Sequence, residues 1–248
     1  FMPYRRLPNT DSARLRALKR AVEISKEIPP FRLAFSMKTL VKIQAILPLF
    51  ENSISHQRQT LVNQTDKAKR NQETAKKARL YITHFLRVMN MAIVRGELPP
   101  ETRSFYGIAT DDATIPSLTT ENELVAWGKR IIDGEEYRIR KGSSPVTNPT
   151  IAVVKVRYEK FLETRNHYKT INRRASECVN KTSDMRREVD ELITILWNEI
   201  ESGFSSLPED EKRASAERYG VVYVFRKNEM VRKDLSPTLF GSGQEENN

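Results

Sequence analysis

Glu163 and His167 stand four residues apart in "ETRNH", a spacing that puts two metal-ligating side chains on one face of a helix. A di-iron centre between helices needs the Glu-x-x-His pair twice, with further inward carboxylates. The chain has no Glu-x-x-His, and residues 1–95 hold only 6 Asp+Glu, so no metal is expected. His56 and His84 fall on other segments; His84 borders Phe85 and Val88 and reads as a histidine at the edge of a core. The sole cysteine, Cys178, sits in a polar run with no histidine beside it, which disfavours a nucleophile and excludes an intrachain disulfide. Asp111-Asp112 in "IATDDATIPSL" could do acid–base work or hold a cation, but a turn closed by an Asx-type bond is the commoner use. An enzyme would need Asp111, Asp112, His84 or Arg103 to converge on one pocket. Glycine-rich phosphate loops, serine elbows and kinase signatures are missing, so no catalytic residue and no cofactor is assigned.

Charge is the stronger signal. The formal net charge is +10, and residues 1–95 carry 19 Lys+Arg against 6 Asp+Glu, while residues 96–248 carry 23 against 26. Within "NQTDKAKRNQETAKKAR" (63–79), Lys67, Lys69, Arg70, Lys76, Lys77 and Arg79 face only Asp66 and Glu73. Such a cluster attracts a polyanion by releasing its counterions. At 100° per residue, however, the six side chains spread all round a helix, and no aromatic is interleaved to stack on bases. A solvated helical surface is the plainer reading of the run.

The elements that must position these residues are helices. Nine glycines in 248 residues argue against a turn-rich β protein. Asn9 or Thr10 can cap a first helix that Pro29-Pro30 stops. Ser36 can cap a second, and Pro48 is expected to kink it rather than end it. Ile82, Leu86, Met89 and Ile93 continue a helical apolar stripe to Gly96. Thr120 and Glu123 are spaced as a capping box. "TNPTIAVVKVRYEKF" has the β-branched content of a strand, but Asn148 and Pro149 suit a helix start, and its apolar positions recur with helical period. Val153 and Val156 lie off that stripe, so the first turns of this helix are expected to be covered all round. Trp127 and Trp197 read as core. "SLPEDEKRASAERYG" predicts a short helix closed by Gly220, and "VVYVFR" one extended segment, packed on helices or paired with 137–141 or a second subunit.

Three landmarks recur at near-constant spacing: Ile82 and Ile193 at 111 positions, Tyr106 and Tyr219 at 113, Val41 and Val154 at 113. They predict an internal repeat of two similar helical hairpins, 36–96 and 148–204, whose polar tips are 63–79 and 172–188. The expected fold is all-α: an elongated antiparallel bundle of four long helices with an N-terminal helix and short peripheral ones. It reads as a single domain over 1–240, with an insertion at 97–147, a short helix and extended segment at 205–227, and a flexible tail at 228–248. Met2 reads as the native start, with no signal segment after it and no run of about 18 apolar residues for a membrane span.

"ARLYITHFLRVMNMAIVRGE", Tyr106-Gly107, "NPTIAVVKVRYEKF" and "YGVVYVFR" resemble an uncharacterised bacterial family of the Bacteroidetes type. The resemblance runs from Met2 to about Arg226, implies a cytoplasmic bacterial protein with an all-α fold, and brings no functional residues. The expected function is a helical scaffold or interaction module for a protein partner or a second copy. The alternative is nucleic-acid or polyanion binding through the basic N-terminal half and Lys67, Lys69, Arg70, Lys76, Lys77 and Arg79.

Overall fold

A computed structural model of the protein describes residues 3–225. The tail expected at 228–248 lies outside the described residues, as does Arg226 at the end of the extended segment. In order, the elements are β1 (Tyr4–Arg5), α1 (Asp11–Glu27), a 3-10 turn (Pro30–Arg32), α2 (Met37–Val94), a 3-10 segment (Pro100–Tyr106), α3 (Glu121–Arg140), α4 (Ile151–Gly203), α5 (Glu209–Arg218) and β2 (Tyr223–Val224). The all-α reading holds.

The caps are those the sequence offers. Thr10 accepts from the Ala13 amide to start α1, and Ser36 accepts from the Thr39 amide at the head of α2. Thr120 and Glu123 form both halves of a capping box on α3. Gly96, Gly107 and Gly220 take positive φ where helical segments end.

Three expectations need correction. The reversals expected within 63–79 and 172–188 do not occur: α2 and α4 run unbroken through both, so there are two long helices where two hairpins were expected. Polarity alone does not make a turn, which needs a breaker. Between Pro48 and Gly96 there is neither glycine nor proline, and the run is rich in Ala, Lys, Gln, Glu and Arg, all strong helix formers. The helix also continues through Pro48. Secondly, α4 begins at Ile151: Asn148 sits at φ 57 before a cis Asn148-Pro149 bond, and the Thr150 carbonyl takes the first helical amides. Its first turns are not covered all round, for Val156 is 61% exposed. Thirdly, the extended segment pairs antiparallel with β1 at the other end of the chain, Tyr4 opposite Val224, rather than with 137–141, where α3 runs to its end at Arg140.

Contacts divide the chain into two compact units. The terminal unit takes in the chain up to His56 and from Val179 onward; the central unit is Gln57–Cys178. In the terminal unit, Leu18, Ile43, Phe50, Ile193 and Trp197 bury completely around α1 and the adjoining stretches of α2 and α4. Arg14 and Arg186 clamp this unit through Asp190 and Asp11. In the central unit, Ile82, Phe85, Met89, Leu124, Ile131 and Phe161 form the core. Each unit buries the tyrosine of a Tyr-Gly pair edge-on against a phenylalanine: Tyr106 on Phe85 at 6.0 Å and Tyr219 on Phe35 at 6.1 Å.

Candidate polyanion groove

The central unit carries α2 and α4 antiparallel, and two side-chain pairs fix their register. Thr74 Oγ1 and Thr164 Oγ1 lie 2.6 Å apart, and Gln64 Nε2 donates to Asn172 Oδ1. This register lays Lys67, Arg70 and Lys77 of α2 along the same surface depressions as Arg157, Lys160, Asn166 and His167 of α4. The larger depression, about 530 Å³, is lined by Lys67, Arg70, Glu163, Thr164, Asn166, His167 and Thr170. Arg70 also borders the second, about 280 Å³, together with Glu73, Thr74, Lys77, Arg157 and Lys160. Five cations therefore meet two carboxylates over one continuous stretch of the two helices.

The electrostatics are lopsided. Lys160 Nζ donates to Glu163 Oε2 at 2.6 Å, and this bond holds the Glu163 carboxyl below the ordinary carboxylate range, with the field of Arg70 adding to the effect. Arg157 lies over the Tyr81 ring, 5.3 Å from its centroid. Lys67, Arg70 and Lys77 have no carboxylate within 4.0 Å among the described residues. Several cations elsewhere are matched: Arg14 with Asp190, Arg138 with Glu135, Arg165 with Glu121.

Of the six residues singled out by charge, then, three come together: Lys67, Arg70 and Lys77, at spacings of three and seven along one face of α2. Lys69 and Lys76 are exposed and line neither depression. Arg79 is structural. It donates to the Leu118 carbonyl at 2.6 Å and the Thr119 carbonyl at 3.2 Å, pinning the segment that leads into α3. The α4 contributors Arg157 and Lys160 carried no sequence signal, because only the pairing of α2 with α4 sets them opposite Lys77. Glu163 and His167, weighed as a ligand pair, flank Lys67 and Arg70 instead.

Of the residues that an enzyme site would need, Arg103 and Asp112 serve the central unit's architecture. Arg103, 6% exposed, donates to Asn90 Oδ1 at 2.9 Å and to the Thr110 carbonyl at 2.6 Å. Asp112 accepts from the Thr114 amide and hydroxyl, closing a turn, and His84 is exposed on α2. Among the described residues no group of three or more His, Cys, Asp or Glu could hold a metal ion. Nor, among them, is any helix long and apolar enough to cross a membrane. Comparison with known proteins finds no family model, no curated protein and no solved structure that matches the chain.

Proposed function

We propose that this chain acts by binding, and that the groove between α2 and α4 of the central unit takes the phosphate backbone of a nucleic acid. The observation that carries the reading is the convergence of Lys67, Arg70 and Lys77, none with a carboxylate within 4.0 Å among the described residues, with Arg157 and Lys160 across the groove. Lys67 to Lys77 spans ten residues, about 15 Å of helix, over which a strand presents several phosphates. The Tyr81 ring is occupied by Arg157, so contacts fall on phosphates and not bases, and binding is insensitive to sequence.

The test is fluorescence anisotropy of a labelled single-stranded oligonucleotide, titrated at several salt concentrations. Replacing Arg70→Gln and Lys77→Gln together removes two phosphate contacts and lowers the slope of log K against log salt by about 1.4. Replacing Lys69→Gln and Lys76→Gln changes net charge equally but leaves the groove intact. Equal loss in both double variants, or absence of binding at low salt, overturns the proposal.

A second reading, a scaffold that docks a protein partner or another copy of itself, is favoured by one feature. Leu80, Met91 and Val94 are exposed at positions i, i+11 and i+14 of α2, so three apolar side chains share one helix face. A protein that sediments as a lone monomer and retains no partner removes this reading.

A further inference from the structure

The terminal unit contains a cavity of about 730 Å³ between the start of α1 and the β1–β2 ribbon. That volume lies in the range of small-molecule sites, which combine an apolar wall with a few placed polar groups. Leu7, Ala17, Val222 and Val224 make part of its wall apolar, and Trp197 also lines it. Trp197 is completely buried, and among the described residues its Nε1–H has no acceptor.

The cations around the cavity are unequally occupied. Lys19 is paired with Glu51 at 2.5 Å, and Arg20 donates to the Arg218 carbonyl at 2.8 Å. Arg6 and Arg16 also line the cavity, yet neither side chain has an acidic partner among the described residues. Glu23, the one acid in the lining, lies against Arg20. The cavity therefore offers an apolar wall and two guanidinium groups that have no acidic partner among the described residues.

We propose that this cavity is a binding site for a small organic anion with an apolar body, its acid oxygens pairing with Arg16 and Arg6 and its apolar part lying against the wall that includes Trp197. The anion can be a carboxylate or a phosphate monoester, since both present the same acceptors to a guanidinium fork. The site is separate from the groove in the central unit and stands whether or not that groove binds nucleic acid.

The experiment reads the two indole N–H resonances of the full chain by nitrogen–proton correlation NMR, with Trp127→Phe assigning the Trp197 signal. Octanoate and octyl phosphate are the probes, and octanol is the neutral control. At least one anion is expected to shift the Trp197 resonance saturably and leave Trp127 unmoved, while octanol produces no saturable shift. Comparing the two anions identifies which acid group is preferred. Arg16→Glu, at an exposed position where folding is not at risk, weakens binding by about tenfold or more, as loss of a charge-assisted hydrogen bond predicts. A Trp197 signal that neither anion moves overturns the proposal. So does an equal response to octanol, or binding that Arg16→Glu leaves unchanged.

Discussion

Replacing Arg138 by methionine tests how the central unit tolerates its buried charges. Arg138 and Glu135 are 1% and 0% exposed, joined by Nε to Oε2 at 2.8 Å and by a second guanidinium N–H to Oε1 at 2.9 Å. Tyr106 Oη donates to Glu135 Oε2 at 2.5 Å, and the Val146 amide donates to Oε1 at 2.9 Å. Burial pushes the Glu135 carboxyl up, but Arg138, Tyr106 and Val146 together outweigh it and hold the net value below the ordinary range. Burial, with Glu135 beside it, pushes the Tyr106 phenol far above its usual range, so it stays a neutral donor. Removing Arg138 leaves a carboxylate whose escape is to take up a proton. From an unfolded value of about 4.3, protonation at pH 7 costs about 1.36 × 2.7, or roughly 3.7 kcal/mol, and at pH 5 only about 1 kcal/mol. That ceiling agrees with the roughly 3–5 kcal/mol found when one partner of a buried pair is lost. With a urea dependence of about 2 kcal/mol per molar, the midpoint at pH 7 falls by about 1.5–2 M. Urea unfolding followed by circular dichroism, with hydrogen exchange at the Val146 amide as the local readout, measures it. The double variant Glu135→Leu, Arg138→Met should recover most of the loss, because no charge remains buried. A single variant losing as much at pH 5 as at pH 8, or a double variant no better than the single, would refute the reasoning.

Acidification acts on both units. Glu135 has a depressed folded-state pKa, so its contribution is complete above about pH 4.3 and is lost as pH falls through the folded value. Asp11 behaves alike in the terminal unit: the Arg186 hydrogen bond, aided by the fields of Arg186 and Arg14 against partial burial, holds its carboxyl low. Stability from Asp11 is present above about pH 3.9 and disappears below it, and Asp11→Asn, costing about 1 kcal/mol at neutral pH, flattens that part of the urea-midpoint profile. Gly134→Ala places a Cβ 2.2 Å from the Phe105 carbonyl oxygen, a backbone atom that cannot swing aside. It should cost about 1–3 kcal/mol or more by thermal or urea unfolding, and an unchanged midpoint would mean that α3 does not lie as closely on the 3-10 segment.

The starts of α1, α2 and α3 were legible because capping is local. Thr10, Ser36 and the Thr120–Glu123 pair each act within three residues, so the sequence contains the whole interaction. Buried stripes were legible for the same reason, down to Ile82, Leu86 and Met89. The misread hairpins failed at a non-local step. A run such as 63–79, lacking large apolar residues, is equally compatible with a turn and with an exposed stretch of helix. Only the absence of glycine and proline, set against the helix propensity of Ala, Lys and Gln, favours the second. β1 pairs with β2 across more than two hundred residues, which no local pattern encodes.

The charge cluster shows what a continuous helix changes. At the tip of a hairpin, six cations pointing in all directions would form a diffuse basic knob. Within an unbroken α2 they are sorted by angle. Lys67, Arg70 and Lys77 face α4, Arg79 is drawn off to the carbonyls before α3, and Lys69 and Lys76 stay in solvent. The sorting depends on the Thr74–Thr164 register, since a shift of α4 by one residue rotates its side chains by 100° and takes Arg157 and Lys160 away from Lys77. The groove is therefore a property of two helices in one register, and its affinity for a polyanion should respond to Thr164 as well as to the cations. Thr164→Val removes the hydroxyl pair while keeping the side chain's shape, and leaves Thr74 Oγ1 its bonds to the Arg70 and Asn71 carbonyls. Anisotropy with the same labelled oligonucleotide should then show weaker binding with an unchanged salt slope, because the number of phosphate contacts is preserved while their alignment is relaxed. A slope that falls along with the affinity would instead mean that Thr164 changes how many cations reach the strand, and the register argument would fail.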